Sequence, residues 1–144
     1  MKNTHVPGMF WRSVGSSQNA FAVESFIDEL AVAAGGDPLD YRRALLAGKP
    51  DFLAVLDKLA DKGGWGRALP AGTAQGLAIH EAFGTIVGEI AQVAVSKSGE
   101  VKVERVTACV DCGHVVNPLH VEMQIEGPAG WAGRAGRAGL RRHG

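Results

Sequence analysis

The chain has 144 residues, 46% apolar and 21% charged, with Lys plus Arg and Asp plus Glu both at 15, so its formal net charge is zero. That length suits one domain with a real core, since a chain of about 150 residues buries roughly 70% of its unfolded surface. Zero net charge argues against electrostatic binding to nucleic acid or an anionic membrane, and no apolar run of about 18 residues is present to form a membrane span.

Residues 1–17 show no periodicity and read as a loop, with Pro7, Gly8, Gly15 and a run of large apolar residues, Met9, Phe10 and Trp11, that needs a partner surface. The start lacks the apolar stretch of a signal peptide, so the chain as given is expected in the cytoplasm, while a longer parent chain is compatible with the periplasm. From Gln18 to Ala34 the apolar positions 23, 26, 27, 30, 31 and 34 recur at helical spacing. This predicts a helix with that stripe inward, Glu24, Asp28 and Glu29 outward, Ser17 as N-cap and Gly35-Gly36 as the stop. Asp37-Pro38 predicts an N-cap and first helical residue for a short helix to about Ala47. Pro50 opens a third helix that buries Phe52, Leu53, Val55, Leu56, Leu59 and Ala60 and stops at Gly63-Gly64.

After a Gly/Pro/Ala linker over residues 65–74 the period changes. Residues 76–95 read as one long strand, Lys97-Ser98-Gly99-Glu100 as a turn, and residues 101–110 as the returning strand of an antiparallel hairpin. A hairpin is marginal alone and must pack on the helices or on absent strands. Asn117-Pro118 predicts a short helix containing Val121, Met123 and Ile125. From Gly127 the sequence falls into five Gly-led triplets with four arginines and no acid. We expect residues 128–144 to be a disordered low-complexity tail. One hypothesis is a reading-frame slip in GC-rich DNA, which resequencing would test. The fold class expected is α+β: an N-terminal loop and three helices on a long antiparallel β-hairpin, then a short helix and the Gly/Ala/Arg tail.

Cys109 and Cys112 form a C-x-x-C with His114 and His120 nearby, four soft ligands within twelve residues. A zinc site is one reading. The spacing lacks the gap that lets a chain wrap a metal, and strand positions three apart point to opposite faces. Two half-buried thiols are the other reading, and no metal ligand is assigned. His80-Glu81 begins like H-E-x-x-H, but Gly84 fills the last position. No P-loop, dinucleotide fingerprint or nucleophile elbow is present.

Two segments hold polar groups in a pattern suited to a ligand. In the first, Arg12, Ser13, Ser16, Ser17 and Gln18 surround a Gly15-containing loop that enters a helix N-terminus, where free N–H groups suit an anionic, hydrogen-bond-rich ligand. In the second, residues 109–127, a strand ends, a Gly turn follows and Asn117 caps a helix, which leaves Gln124 free to reach a ligand. Ordinary capped helix starts are the plainer reading of both.

Together these segments resemble the molybdopterin-binding subunit of the xanthine dehydrogenase/aldehyde oxidase family, especially its isoquinoline 1-oxidoreductase beta-subunit-like branch. The run F-W-R-S-V-G-x-S-Q-N-A-F-x-x-E-S-F-x-D-E-L-A (Phe10 to Ala31) is similar to that branch. So are Asp37 to Leu46 (D-P-x-x-F/Y-R-x-x-L-L), Gly76 to Gly84, and D-C-G-x-x-V-N-P-x-x-V-x-x-Q-x-E-G (Asp111 to Gly127). The resemblance spans about residues 6–127, in order, so residues 1–127 are expected to be part of a larger molybdenum-cofactor-binding domain. It implies a molybdenum ion held by a pterin cofactor, molybdopterin, often as the cytosine dinucleotide. It further implies hydroxylation of aldehydes or N-heteroaromatic compounds with oxygen from water, and electron transfer to 2Fe-2S clusters on a partner subunit.

By the same resemblance, Arg12 lies beside the molybdenum site as the catalytic assignment, while Gly15, Gln18 and Gln124 bind the cofactor. Val14 matches a position where purine-oxidising members carry an aromatic that contacts substrate; its small side chain offers no such stacking surface. The family's general base, a glutamate in a G-x-G-E motif, is absent from this chain. Without it proton removal has no agent here, so the chain is expected to be inactive alone. The alternative is a small non-catalytic interaction domain that meets protein partners through Phe10, Trp11 and the hairpin edge.

Overall fold

The computed structural model describes the backbone of residues 12–134 and the side chains of residues 12–127. The loop residues Met9, Phe10 and Trp11 and the end of the tail lie outside the described residues. The elements, in order, are α1 (Ser16–Ala33), α2 (Pro38–Leu45), α3 (Pro50–Gly63), β1 (Thr73–Ala82), β2 (Thr85–Val95), β3 (Val101–Asp111) and α4 (Pro118–Arg134). Helices and an antiparallel sheet occupy separate stretches of chain, so the fold is α+β.

The helix punctuation follows local chemistry. Asp37 caps α2, with Oδ1 accepting from the N–H groups of Leu39 (2.8 Å) and Asp40 (3.2 Å), and Pro38 holds the first helical position. The indole of Trp65 donates to Asp37 Oδ2 at 3.0 Å and so ties the exit of α3 to the start of α2. Gly64, at φ 68°, ends α3 in the left-handed conformation. Ser17 does not cap α1. Gly15 holds that position with no side-chain cap, and Ser17 Oγ pairs with Ser13 Oγ at 2.6 Å instead.

The sheet has three strands in the order β1-β2-β3, all antiparallel. The segment 76–95, read from sequence as one strand, is two. Phe83 (φ 54°) and Gly84 (φ 78°) form a two-residue turn between them, and Ala82 faces Thr85 in register. Two successive left-handed residues are what a hairpin turn matched to strand twist requires. The expected turn before Val101 is present, with Gly99 at φ 83° and Ser96 Oγ accepting from Glu100 N at 3.0 Å. The register shift between Gln92 and Val93 leaves Glu104 as an extra residue of β3, a bulge against β2.

The core lies between α3 and one sheet face. Val55, Leu56 and Leu59 pack with Leu39 against Leu77, Ile79, Ile86 and Ile90. Gly88 permits this closeness, because a Cβ there would sit 3.0 Å from Leu59 Cδ2. Gln75 Nε2 and Arg105 Nη2 both donate to the Gly63 carbonyl, which fastens the end of α3 to the sheet.

α1 is rotated from its expected orientation. Its buried residues are Glu24 and Ala31, while Phe21, Val23 and Phe26 are exposed. The cause is Arg42 on α2, which is 1% exposed. Its Nε donates to Glu24 Oε2 (2.9 Å), Nη1 to Asp28 Oδ1 (2.7 Å) and Pro38 O (3.1 Å), and Nη2 to Glu24 O (3.1 Å). Glu24 Oε2 also accepts from Ile79 N at 2.8 Å, so one carboxylate joins α1, α2 and the edge strand β1. A buried guanidinium needs its charge met, and that requirement turns the acidic face of α1 inward.

In α4, Asn117 Oδ1 accepts from Leu119 N at 3.1 Å, as the cap reading expected. Val121 and Ile125 are half-buried, whereas Met123, on the opposite side of the helix, is exposed. The helix is not as short as expected, since its backbone continues past Gly127 to Arg134. The remainder of the segment read as a disordered tail lies outside the described residues.

Candidate functional site

Arg12 precedes α1 and Gln124 lies in α4, 112 residues apart, yet Arg12 Nη1 donates to Gln124 Oε1 at 2.9 Å. Both side chains are exposed, and neither makes another hydrogen bond among the described residues. The pair therefore presents the other guanidinium N–H groups and the Gln124 amide N–H to solvent as a donor-rich corner.

The loop behind this corner is strained. Val14 has φ 46°, a conformation that β-branched side chains rarely adopt, and such outliers cluster at ligand clamps. Gly15 is half-buried at the N-cap of α1, where the carbonyl of Gly15 accepts from Asn19 N at 3.1 Å. Gln18 is exposed in the first turn. The fold thus joins Arg12 to Gln124 directly and places Gly15 and Gln18 at the same helix start, with no contact from Gly15 or Gln18 to Gln124 described. The N–H groups of Ser16 and Ser17 are taken up by Ser13 O (2.9 Å) and Val14 O (3.3 Å), so the donors this corner offers an anionic pterin phosphate are the guanidinium of Arg12 and the carboxamides of Gln124 and Gln18.

A hollow of about 330 Å³ opens beside α1, between Phe21 and Ser25 and the outer sheet face of Ala78, His80, Val87 and Glu89. Burial pushes the Glu89 carboxyl above its usual range. Sequence reasoning missed this feature, because an acid on the polar side of an alternating strand looks solvated. A second hollow lies by α2 and α3, where Arg43 pairs with Asp57 (2.7 Å) and Asp40 (2.9 Å).

Cys109 and Cys112 are free thiols. Burial raises the Cys109 pKa, the charge of Lys58 partly opposing it. Among the described residues no group of three or more His, Cys, Asp or Glu side chains is placed to hold a metal ion. No helix among them is long and apolar enough to cross a membrane.

A family model described as molybdopterin cofactor-binding domain matches residues 57–132, more than half of the chain, and the chain belongs to that family. Three curated relatives extend the similarity. The membrane-bound aldehyde dehydrogenase (pyrroloquinoline-quinone) of Gluconacetobacter polyoxogenes is 35% identical over 90% of this chain and 19% of its own length. The beta subunit of the isoquinoline 1-oxidoreductase of Brevundimonas diminuta is 34% identical over 82% of this chain and 16% of its own. A subunit of the nicotinate dehydrogenase of Pseudomonas putida is 36% identical over 85% and 12%. The chain therefore spans less than a fifth of the length of these relatives. No solved structure matches it.

Proposed function

We propose that this chain supplies part of the wall of a molybdenum-cofactor cleft in the large subunit of a hydroxylase acting on aldehydes or N-heteroaromatic compounds. The reading is carried by the 2.9 Å bond between Arg12 and Gln124, because it unites in one corner two segments that each resemble cofactor-contacting segments. Arg12 lies beside the metal centre, Gln124 donates to the pterin, and Gly15 and Gln18 offer donors to the cofactor phosphates, the cytosine dinucleotide form included. The cofactor supplies the redox chemistry, with water as the oxygen source and a 2Fe-2S partner subunit as the electron outlet.

This chain's own share is binding and orientation. A fixed guanidinium and carboxamide position the cofactor and need no reorganisation as charge develops. No G-x-G-E glutamate is present to remove a proton, so we propose that the chain is inactive alone. The names of the relatives, an aldehyde dehydrogenase and two heterocycle-oxidising proteins, support the substrate classes.

The test uses the full chain produced in a cofactor-making host with two partners: the Brevundimonas diminuta beta chain lacking its matching segment, and a 2Fe-2S protein. Oxidation of an aldehyde and of isoquinoline is followed with a dye acceptor. Turnover is expected only when this chain is present. Arg12→Ala is expected to lower turnover about a hundredfold, the usual loss for one preorganised donor, with the melting temperature unchanged. Unchanged turnover in that variant overturns the role.

A further inference from the structure

Successive helical residues turn by about 100°, and on α1 that turn spreads apolar side chains round the circumference. Val23, Phe26 and Leu30 lie on the outward side, with Phe26 58% exposed. Phe21, 77% exposed, lies on the flank that opens onto the hollow. Among the described residues of α1, Glu24 and Ala31 are buried and Ala20, Ser25, Ile27 and Asp28 half-buried. A contiguous exposed apolar face marks a contact surface, and Val23, Phe26 and Leu30 form one on α1.

The floor of the hollow adds a charge requirement. Glu89 faces Ala78 in the β1–β2 register. Its carboxyl has no hydrogen-bond or ion-pair partner among the described residues. The other acids there are occupied, since Glu24 and Asp28 both bind Arg42. The uncompensated charge in the hollow is negative, so the surface that covers it must bring a cation or donors.

We infer that α1 is an interior helix of an intact subunit, and that the remainder of that same large subunit covers it. That remainder presents apolar side chains to Val23, Phe26 and Leu30 and a basic residue to Glu89 beside Phe21. The occupant follows from proportion: more than four-fifths of each matched relative lies outside the matched segment. The inference rests on the proposal that the chain is part of such a subunit.

The full chain is co-expressed with the same gapped beta chain, as wild type, as Val23→Ser/Phe26→Ser and as Glu89→Lys. Val23 and Phe26 are exposed whereas Glu89 is partly buried, so each variant is first shown to unfold cooperatively. The gapped protein is expected to co-purify with wild type, with amide exchange of residues 21–31 slowed about tenfold. Both variants are expected to weaken association at least about tenfold. Recovery of soluble gapped protein only when the wild-type chain is present also supports the inference. Association indifferent to both variants overturns it. So does recovery of the gapped protein without association. A wild-type homodimer abolished by Val23→Ser/Phe26→Ser overturns it as well, because a second copy is then the occupant. Molybdenum is measured in the same samples. Association without molybdenum sinks the cofactor proposal alone, and a molybdenum-loaded complex indifferent to the variants sinks the docking inference alone.

Discussion

Arg42 is the residue on which the orientation of α1 turns. It is 1% exposed, and its four hydrogen bonds reach Glu24, Asp28 and a helix carbonyl. Arg42→Met leaves Glu24 buried without its cation, and breaking such a pair costs about 3–5 kcal/mol. Urea unfolding of the full chain measures this, and a loss under about 1 kcal/mol contradicts a buried, paired carboxylate. Glu89 has the opposite sign. Its folded-state pKa is raised by burial, so its protonated form is the one folding favours. Relative stability is therefore fully present below the ordinary glutamate pKa and is lost as pH rises through the raised value. Glu89→Gln is expected to raise the melting temperature at neutral pH, with the difference vanishing as pH falls below about 4. A difference constant across that range contradicts the burial of this acid. Neither residue's role was legible in sequence. Helical periodicity placed Glu24 and Asp28 in solvent because it weighs apolarity alone, and a buried cation elsewhere in the chain decided the matter.

Elements were legible where their ends carry strong local chemistry. Asp37-Pro38, Pro50 with Gly64, and Asn117-Pro118 mark helix ends through caps and backbone limits, and the structure puts helix ends there. The turn at Phe83-Gly84 was hidden, because phenylalanine is an unfavourable residue at φ 54° and gives no turn signal. The same fact yields a prediction. Phe83 is 83% exposed and gains little from packing, so Phe83→Asn removes left-handed strain and is expected to stabilise the chain by about 1 kcal/mol in urea. Destabilisation by that change contradicts the hairpin geometry. Gly88 predicts the reverse. A Cβ there would lie 3.0 Å from Leu59 and 3.2 Å from Val55, so Gly88→Ala is expected to cost about 1–3 kcal/mol by pushing α3 off the sheet. A neutral result in the same denaturation places α3 elsewhere.

At the scale of the whole molecule, one small core between α3 and the sheet carries the fold, while α1 hangs on an ion-pair network with apolar flanks uncovered. That asymmetry matches a chain spanning less than a fifth of its relatives' length. The meeting of Arg12 with Gln124 was anticipated through family resemblance between two motifs, not through periodicity, which carries no information about contacts 112 residues apart. The strain at Val14 and the hollow above Glu89 left no mark in the sequence pattern. The measurement that bears most directly on the account is the molybdenum and pterin content per chain in the co-expressed complex, for wild type, Arg12→Ala, Gln124→Ala and the double variant. Loaded wild type is expected, with each single change lowering content about tenfold or more and the double change falling short of the combined effect, because the two side chains act as a bonded unit. Wild-type content in both single variants would contradict the placement of that corner against the cofactor.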